Sequence, residues 1–418
     1  MTLAGSAESV LAQNWTGAST VPSRRQYPHQ WGWDAAYIAI GWSWLDPARA
    51  ATELESLLAG QWDDGRVPHI VFHPDVPEDA YFPGPAFWGG RTSGITQPPL
   101  HARAALEVAE RGAGDAFLRR VFDRLVAQHQ YLAGRRDLGG GGLAAIVHPW
   151  ESGLDDSPAW DAPLAAVELP AHGVEPYERR DRRHVDPTER PSDAAYDRFV
   201  HLARAYRDAG YADDGESQFL VEDPLFNAIW LWSTHALAEI AARVGEDAEP
   251  YREAAAGIGA ALRSRLWDGE RFRARDLRSG ALLDPRTIGS LAPLLDPDLP
   301  AAVAGRLAAD LESPHFWAPG GVGVASFDLL DPAFDRRRYW RGPVWANLNW
   351  LLARGLRGHD LMEPARRLEQ GTVQLVEGAG LREYFDPLSG EGLGSDHFSW
   401  TAAAVVDILH SEELPQVG

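Results

Sequence analysis

Ten stretches of this chain repeat one pattern, apolar residues at helical spacing, and almost every stretch opens with Asp, Ser or Pro and closes near Gly. The first shows the logic. Asp46 stands where a helix N-cap belongs, Pro47 takes the first helical position, Ala50, Leu54, Leu57 and Leu58 form one apolar stripe, and Gly60 stops it. The others run over Pro98 to Glu110, Asp115 to Leu132, Asp193 to Arg207, Pro224 to Val244, Pro250 to Leu266, Pro300 to Leu311, Val344 to Leu356, Pro364 to Val376 and Ser399 to Ile408. A further helix is expected from Ala35 to Trp44. Strand signals are sparse, with Val67 to Phe72 the best and Ala144 to His148 weaker.

Such a chain is all-α, and the choice lies between a bundle, a solenoid and a closed ring of helical hairpins. No strict repeat of about 34 or 40 residues recurs, which counts against tetratricopeptide and HEAT arrays. A closed toroid remains. No linker-like segment divides the chain, so residues 1–418 read as a single domain. Two long loops, at about 63–97 and 156–192, are rich in Pro and in aromatic or charged residues, and loops of that length in a compact domain act as caps over a pocket.

The formal charge of -21 repels phosphate backbones and anionic lipid surfaces, so neither nucleic acid nor membrane is an expected partner. A small-molecule ligand is expected, and a homo-oligomer is left open. Seventeen Trp beside two Met is an unusual choice for a core alone, whereas flat rings with one polar edge suit carbohydrate. The absence of Cys removes thiol nucleophiles and thiolate metal sites and fits a reducing cytoplasm. Residues 1–15 lack a secretion-signal pattern, and no apolar run reaches the roughly 18 to 20 residues that span a bilayer.

Three acidic-aromatic clusters stand out. One is Trp150-Glu151-Ser152-Gly153-Leu154-Asp155-Asp156, continuing to Trp160-Asp161; the second is Arg382-Glu383-Tyr384-Phe385-Asp386-Pro387, followed by Phe398-Ser399-Trp400-Thr401; the third is Tyr27 to Asp34. Singly, each reads as a solvated acidic loop, and Asp34 reads as the N-cap of the helix expected after it. Together they suggest a catalytic carboxyl pair in an aromatic pocket. Trp31-Gly32-Trp33-Asp34, Glu151-Ser152-Gly153-Leu154-Asp155 and Glu383-Tyr384-Phe385-Asp386-Pro387 fall in the order seen in glycoside hydrolase family 63, and more distantly in the trehalases of family 37. The chain most closely resembles the short bacterial members of family 63 that hydrolyse mannosylglycerate or glucosylglycerate.

The resemblance implies an (α/α)6 barrel and an inverting hydrolase. By its motifs Asp155 would be the general acid and Glu383 the general base, with Asp156 and Glu151 as rivals for the acid. Asp34, Tyr81, Trp150 and Trp340 match sugar-holding positions, Arg190, Tyr196 and Tyr339 match positions near the glycerate end, and His397 lies where relatives carry an amide. The chemistry asks for an acid kept protonated near neutral pH, which walls such as Trp150 and Trp160 would favour by desolvation, and for a base held ionised, here by Arg382. The locally basic stretch from Tyr177 to Arg190 carries five Arg; most read as a solvated lid, and Arg190 is the candidate to grip a substrate carboxylate.

The fourteen His show no zinc spacing, and no phosphate-binding glycine motif appears, so neither metal nor cofactor is expected. Two other readings stay open. One is a trehalase-like hydrolase or α-glucosidase of neutral glycosides. The other is a sugar epimerase or isomerase on the same toroid, with His201 and His235 as proton shuttles.

Overall fold

In a computed structural model of the chain, which describes residues 2–411, each of the ten helical patterns coincides with a helix. The twelve long helices are α1 (Leu3–Asn14), α2 (Gly32–Leu45), α3 (Pro47–Ala59), α4 (His101–Val108), α5 (Gly114–Arg135), α6 (Asp193–Asp208), α7 (Pro224–Val244), α8 (Glu249–Arg265), α9 (Ala301–Leu311), α10 (Ala346–Gly358), α11 (Met362–Ala379) and α12 (Ser399–His410). Two elements of the barrel were not anticipated, α1 and the 3-10 helix Ile288–Leu295, whose internal Pro293 disguises it in the sequence.

Six of these elements form a closed inner ring. α2 packs on α4, α4 on α7, α7 on the 3-10 helix, that helix on α10, α10 on α12, and α12 returns to α2. Outside them lie α3, α5, α8, α9, α11 and α1, each against an inner partner, which makes an (α/α)6 barrel. The burial follows from this placement. α2 buries twelve of its fourteen residues, so it is apolar on every side, whereas α3 buries six of thirteen as a single stripe. Where the ring closes the two backbones nearly touch. A Cβ on Gly41 of α2 would stand 2.6 Å from the Ala403 Cα of α12, so only Gly fits there.

At one end of the ring, ion pairs knit the inner helices. Arg354 of α10 reaches Glu107 of α4 at 3.1 Å and Asp407 of α12 at 2.7 Å, and Arg111 contacts the same two carboxylates. At the other end the inner helices begin, and short antiparallel pairings hold the loops that lead into them. Gln30–Trp31 pairs with Ile70–Val71, Ala145–Ile146 with Val221–Glu222, and Tyr384–Phe385 with Gly392–Leu393. The strand signals at 67–72 and 144–148 shrink to two paired residues each, the second in a three-stranded patch completed by Arg275–Asp276, because these loops need fastening only at a point.

The two long loops carry short helical pieces, Pro85–Trp88 in the first and Asp161–Ala165 in the second. They interlock above the ring. The Phe82 ring stacks on Tyr177 at 5.3 Å and Tyr177 on Tyr196 at 5.7 Å, the Tyr196 hydroxyl donates to the Phe82 carbonyl, and Arg180 meets Asp79 at 3.8 Å. No helix among the described residues is long and apolar enough to cross a membrane.

Candidate active site

A cavity of about 30 Å³ lies under the interlocked loops, at the end where the inner helices begin. Asp34, Asp155 and Glu383 all line it, with Tyr27, Trp31, Trp33, Gln97, Tyr339, Trp340, Phe398 and Trp400.

Asp155 is presented by a tightly bonded turn. His148 Nδ1 accepts the Trp150 N–H at 3.0 Å, starting the 3-10 helix Pro149–Ser152, and Ser152 Oγ accepts the Leu154 N–H at 2.9 Å. Gly153 turns the chain with φ +74°, and a Cβ there would stand 2.7 Å from the Trp33 indole, so both backbone and pocket wall demand Gly. The Trp160 indole N–H then pins the Leu154 carbonyl at 2.8 Å.

Three acids compete in this stretch, and their surroundings separate them. Glu151 is fully buried and fully used. It takes Arg136 at 2.6 and 2.8 Å and accepts the backbone N–H groups of Val147 and Thr96. Asp156 is paired with Arg338 at 2.9 Å and Arg341 at 3.4 Å. Asp155 has no ion pair among the described residues and faces the cavity. Burial pushes its carboxyl up to about 8, assisted by the nearby Asp156 and Glu383 charges and opposed by Arg190, so it holds a proton at neutral pH.

Glu383 stands in the opposite environment. Arg190 Nη2 donates to its Oε2 at 3.0 Å, the Tyr27 hydroxyl donates to Oε1 at 2.8 Å, and the Ser395 N–H donates to Oε2 at 2.9 Å. The cation beside Glu383 is thus Arg190, whereas Arg382, expected there from adjacency, turns to grooves on the outer surface. Successive residues of an extended segment point to opposite faces, which is why the neighbour in sequence is not the neighbour in space.

Asp34 is 3% exposed, and burial followed by the Glu383 and Asp155 charges raises its pKa well above the ordinary value. It is not the N-cap: α2 begins earlier, at Gly32, with Trp31 at the cap position. Trp340 lies flat on Trp345, 3.6 Å between centroids, and Tyr339 enters the wall from a backbone at φ +38°.

The remaining candidates lie outside the cavity lining. Tyr81 packs behind it on Tyr27 and Trp31, and Tyr196 belongs to the loop stack. Trp150 is sandwiched with His69 and Phe199, and Trp160 holds the acid turn, so the desolvating walls are Trp33, Trp340 and Trp400 instead. Arg190 is spent on Glu383 and Tyr27, with its Nε–H unpaired. His397 faces an open surface groove of about 770 Å³ between α1 and the end of α11. His201 and His235 do not reach the cavity. His235 can approach Asp296 and Asp298 within 4.8 Å, but Asp296 is already paired with Arg263 at 2.7 Å. Gln97 was not singled out from sequence. Its Oε1 accepts the Trp33 N–H at 3.2 Å, which leaves its amide N–H groups for a ligand.

One protonated carboxyl and one cradled carboxylate in an aromatic cavity at the mouth of an (α/α)6 barrel define a glycoside hydrolase. The match to known proteins narrows this. The chain belongs to the mannosylglycerate hydrolase MGH1-like glycoside hydrolase domain family, whose profile matches residues 27–401. It is 42% identical to a mannosylglycerate hydrolase of Rubrobacter radiotolerans, over 97% of this chain and 96% of the relative. It is 38% identical to a glucosylglycerate hydrolase of Mycolicibacterium hassiacum, over 97% of each. The crystal structure of a family 63 mannosylglycerate hydrolase from Thermus thermophilus, in complex with Tris and D-glycerate, superposes with a TM-score of 0.93 at 40% identity, covering 98% of this chain and 100% of that one.

Proposed function

We propose that the protein hydrolyses, with inversion, the α-glycosidic bond of a small anionic glycoside, mannosylglycerate or glucosylglycerate, and releases free sugar and glycerate. The observation that carries this is the contrast between the two carboxyl groups. Asp155 protonates the glycosidic oxygen, and Glu383 removes a proton from the water attacking the opposite face of the sugar ring. Arg190 and Tyr27 hold that base in place. Asp34 and the free amide of Gln97 bind sugar hydroxyls against Trp33 and Trp340, and Tyr339 lies beside the pair. The unpaired Nε–H of Arg190 is a donor its guanidinium has left for an aglycone carboxylate, its charge being already met by Glu383. The named relatives support the anionic substrate, and the absence of Cys supports a cytoplasmic setting.

The test is an activity screen over mannosylglycerate, glucosylglycerate, the matching glycerol glycosides and trehalose, with glycerate and free sugar assayed separately. Turnover confined to the two glycerate glycosides is expected. Preference for trehalose or for the glycerol glycosides would replace this reading with that of a neutral-glycoside hydrolase.

A further inference from the structure

The lumen of the ring, beneath the catalytic cavity, holds polar groups that no protein atom satisfies. Asn347 on α10 is 0% exposed, and neither its Oδ1 nor its Nδ2 has a hydrogen-bond partner among the described residues. No other described residue has both ends of its side chain unpaired while buried. Asn349 on the same helix is equally buried yet fully engaged: its Oδ1 accepts the Val324 N–H at 2.8 Å, and its Nδ2 donates to the carbonyls of Val324 and Trp345. Two residues along an α-helix lie about 200° apart, so Asn347 faces the side opposite Asn349.

Trp350, one turn further along α10, shows where that side points. Its ring meets Tyr37 of α2 across the lumen at 5.5 Å. The Tyr37 hydroxyl is also buried without a partner, and it feels the charge of Asp34. Asp34 precedes Tyr37 by one turn as Asn347 precedes Trp350, and both helices start at the cavity end. Helix position thus puts Asp34, Tyr37 and Asn347 on the faces of α2 and α10 that look toward the lumen, Asp34 and Asn347 at the cavity end.

A buried amide and phenol without partners are strongly disfavoured, and an apolar filling would favour Leu and Phe at these positions. Water meets the need, since a buried water makes about three hydrogen bonds to such groups. We propose that Asn347 and Tyr37 hold a buried water site in the ring lumen beneath Asp34, and that Asn347 is thereby a positioning residue for the carboxylate that grips the sugar. The water restrains the Asp34 carboxyl from behind and leaves its outer oxygen for the ligand. The positioning role rests on the sugar-binding reading of Asp34; the water site does not.

The first measurement is a high-resolution crystal structure of the ligand-free protein. At least one ordered water about 2.7–3.2 Å from the Asn347 amide is expected. A dry lumen, or an amide bonded directly to protein, overturns the site. The second is kinetic. Asn347→Leu keeps the volume and removes both polar ends, so the melting temperature should hold or rise while KM increases about ten-fold with a smaller change in kcat. Asn347→Ser, which restores a hydroxyl and room for a second water, should recover most of that loss. A KM unchanged in the Leu variant overturns the positioning role. If the Leu variant does not fold, Tyr37→Phe replaces it, with a raised KM expected and an unchanged KM counting against the role. Wild-type protein inactive on every glycoside would sink the proposed function and leave the crystallographic water standing, so the two failures are distinguishable.

Discussion

Arg190 Nη2 lies 3.0 Å from Glu383 Oε2, and each side chain is 1% exposed, although 193 residues separate them in the chain. The pair is a buried ion pair at the wall of the cavity, where Glu383 is proposed to act as the base. Breaking such a pair by removing one partner strands the other charge in a low-dielectric interior, at a cost of about 3–5 kcal/mol. Arg190→Ala should therefore lower stability by that amount, and the double variant Arg190→Ala/Glu383→Ala should be more stable than the sum of the single losses. Denaturant titration of the four proteins checks this; strictly additive losses would show that the two side chains do not depend on each other.

Asp155→Asn should lower kcat on the glycerate glycoside at least about 10²-fold, the loss typical of a positioned proton donor, with a normal melting curve. A dinitrophenyl glycoside, whose leaving group needs no proton, should be turned over by Asp155→Asn far better relative to wild type. Glu383→Gln should be inactive on both, because activating water is still required. Equal losses of Asp155→Asn on the two substrates would remove Asp155 from the role of acid.

The pH dependence follows from the burial of Asp155, which raises its carboxyl to about 8. The active form is the protonated one, so kcat/KM should be insensitive to this group below that value and fall as pH rises through about 8, with a slope of one proton. In Asp155→Asn the residual activity should lack this basic limb. A limb that persists unchanged in the variant belongs to another group.

Proton NMR of the first-formed sugar should show the anomeric configuration opposite to that of the substrate. Inversion is the outcome expected of the proposed role of Glu383 as the base that activates water; a first product with retained configuration would make it a nucleophile and require a covalent intermediate.

Much of the ring was legible because it rests on local signals. The caps and stripes of α3 and α7 mark their own ends, and the Asp46 side chain does accept the Ala48 and Arg49 N–H groups. The 3-10 helix was hidden by Pro293, and α1 buries only four residues, so its stripe is weak. The clusters at 27–34, 150–156 and 382–387 were visible as composition, and the cavity contains one carboxyl from each.

What the sequence by itself determined is eleven of the twelve long helices, the all-α class they make and the three acidic-aromatic loops, because capping, periodicity and residue type act over a few positions. Only the tertiary structure decided which acid is left free. Arg136 claims Glu151, and Arg338, 182 residues from Asp156, claims that carboxylate, so Asp155 alone of the three is left without an ion-pair partner. It likewise assigned Arg190 and not Arg382 to Glu383, turned His397 outward, and put Trp150 outside the cavity lining, against His69 and Phe199. The reason is physical: a carboxyl's role is set by what surrounds it in three dimensions, and these partners come from segments whose spacing along the chain carries no trace of their contact.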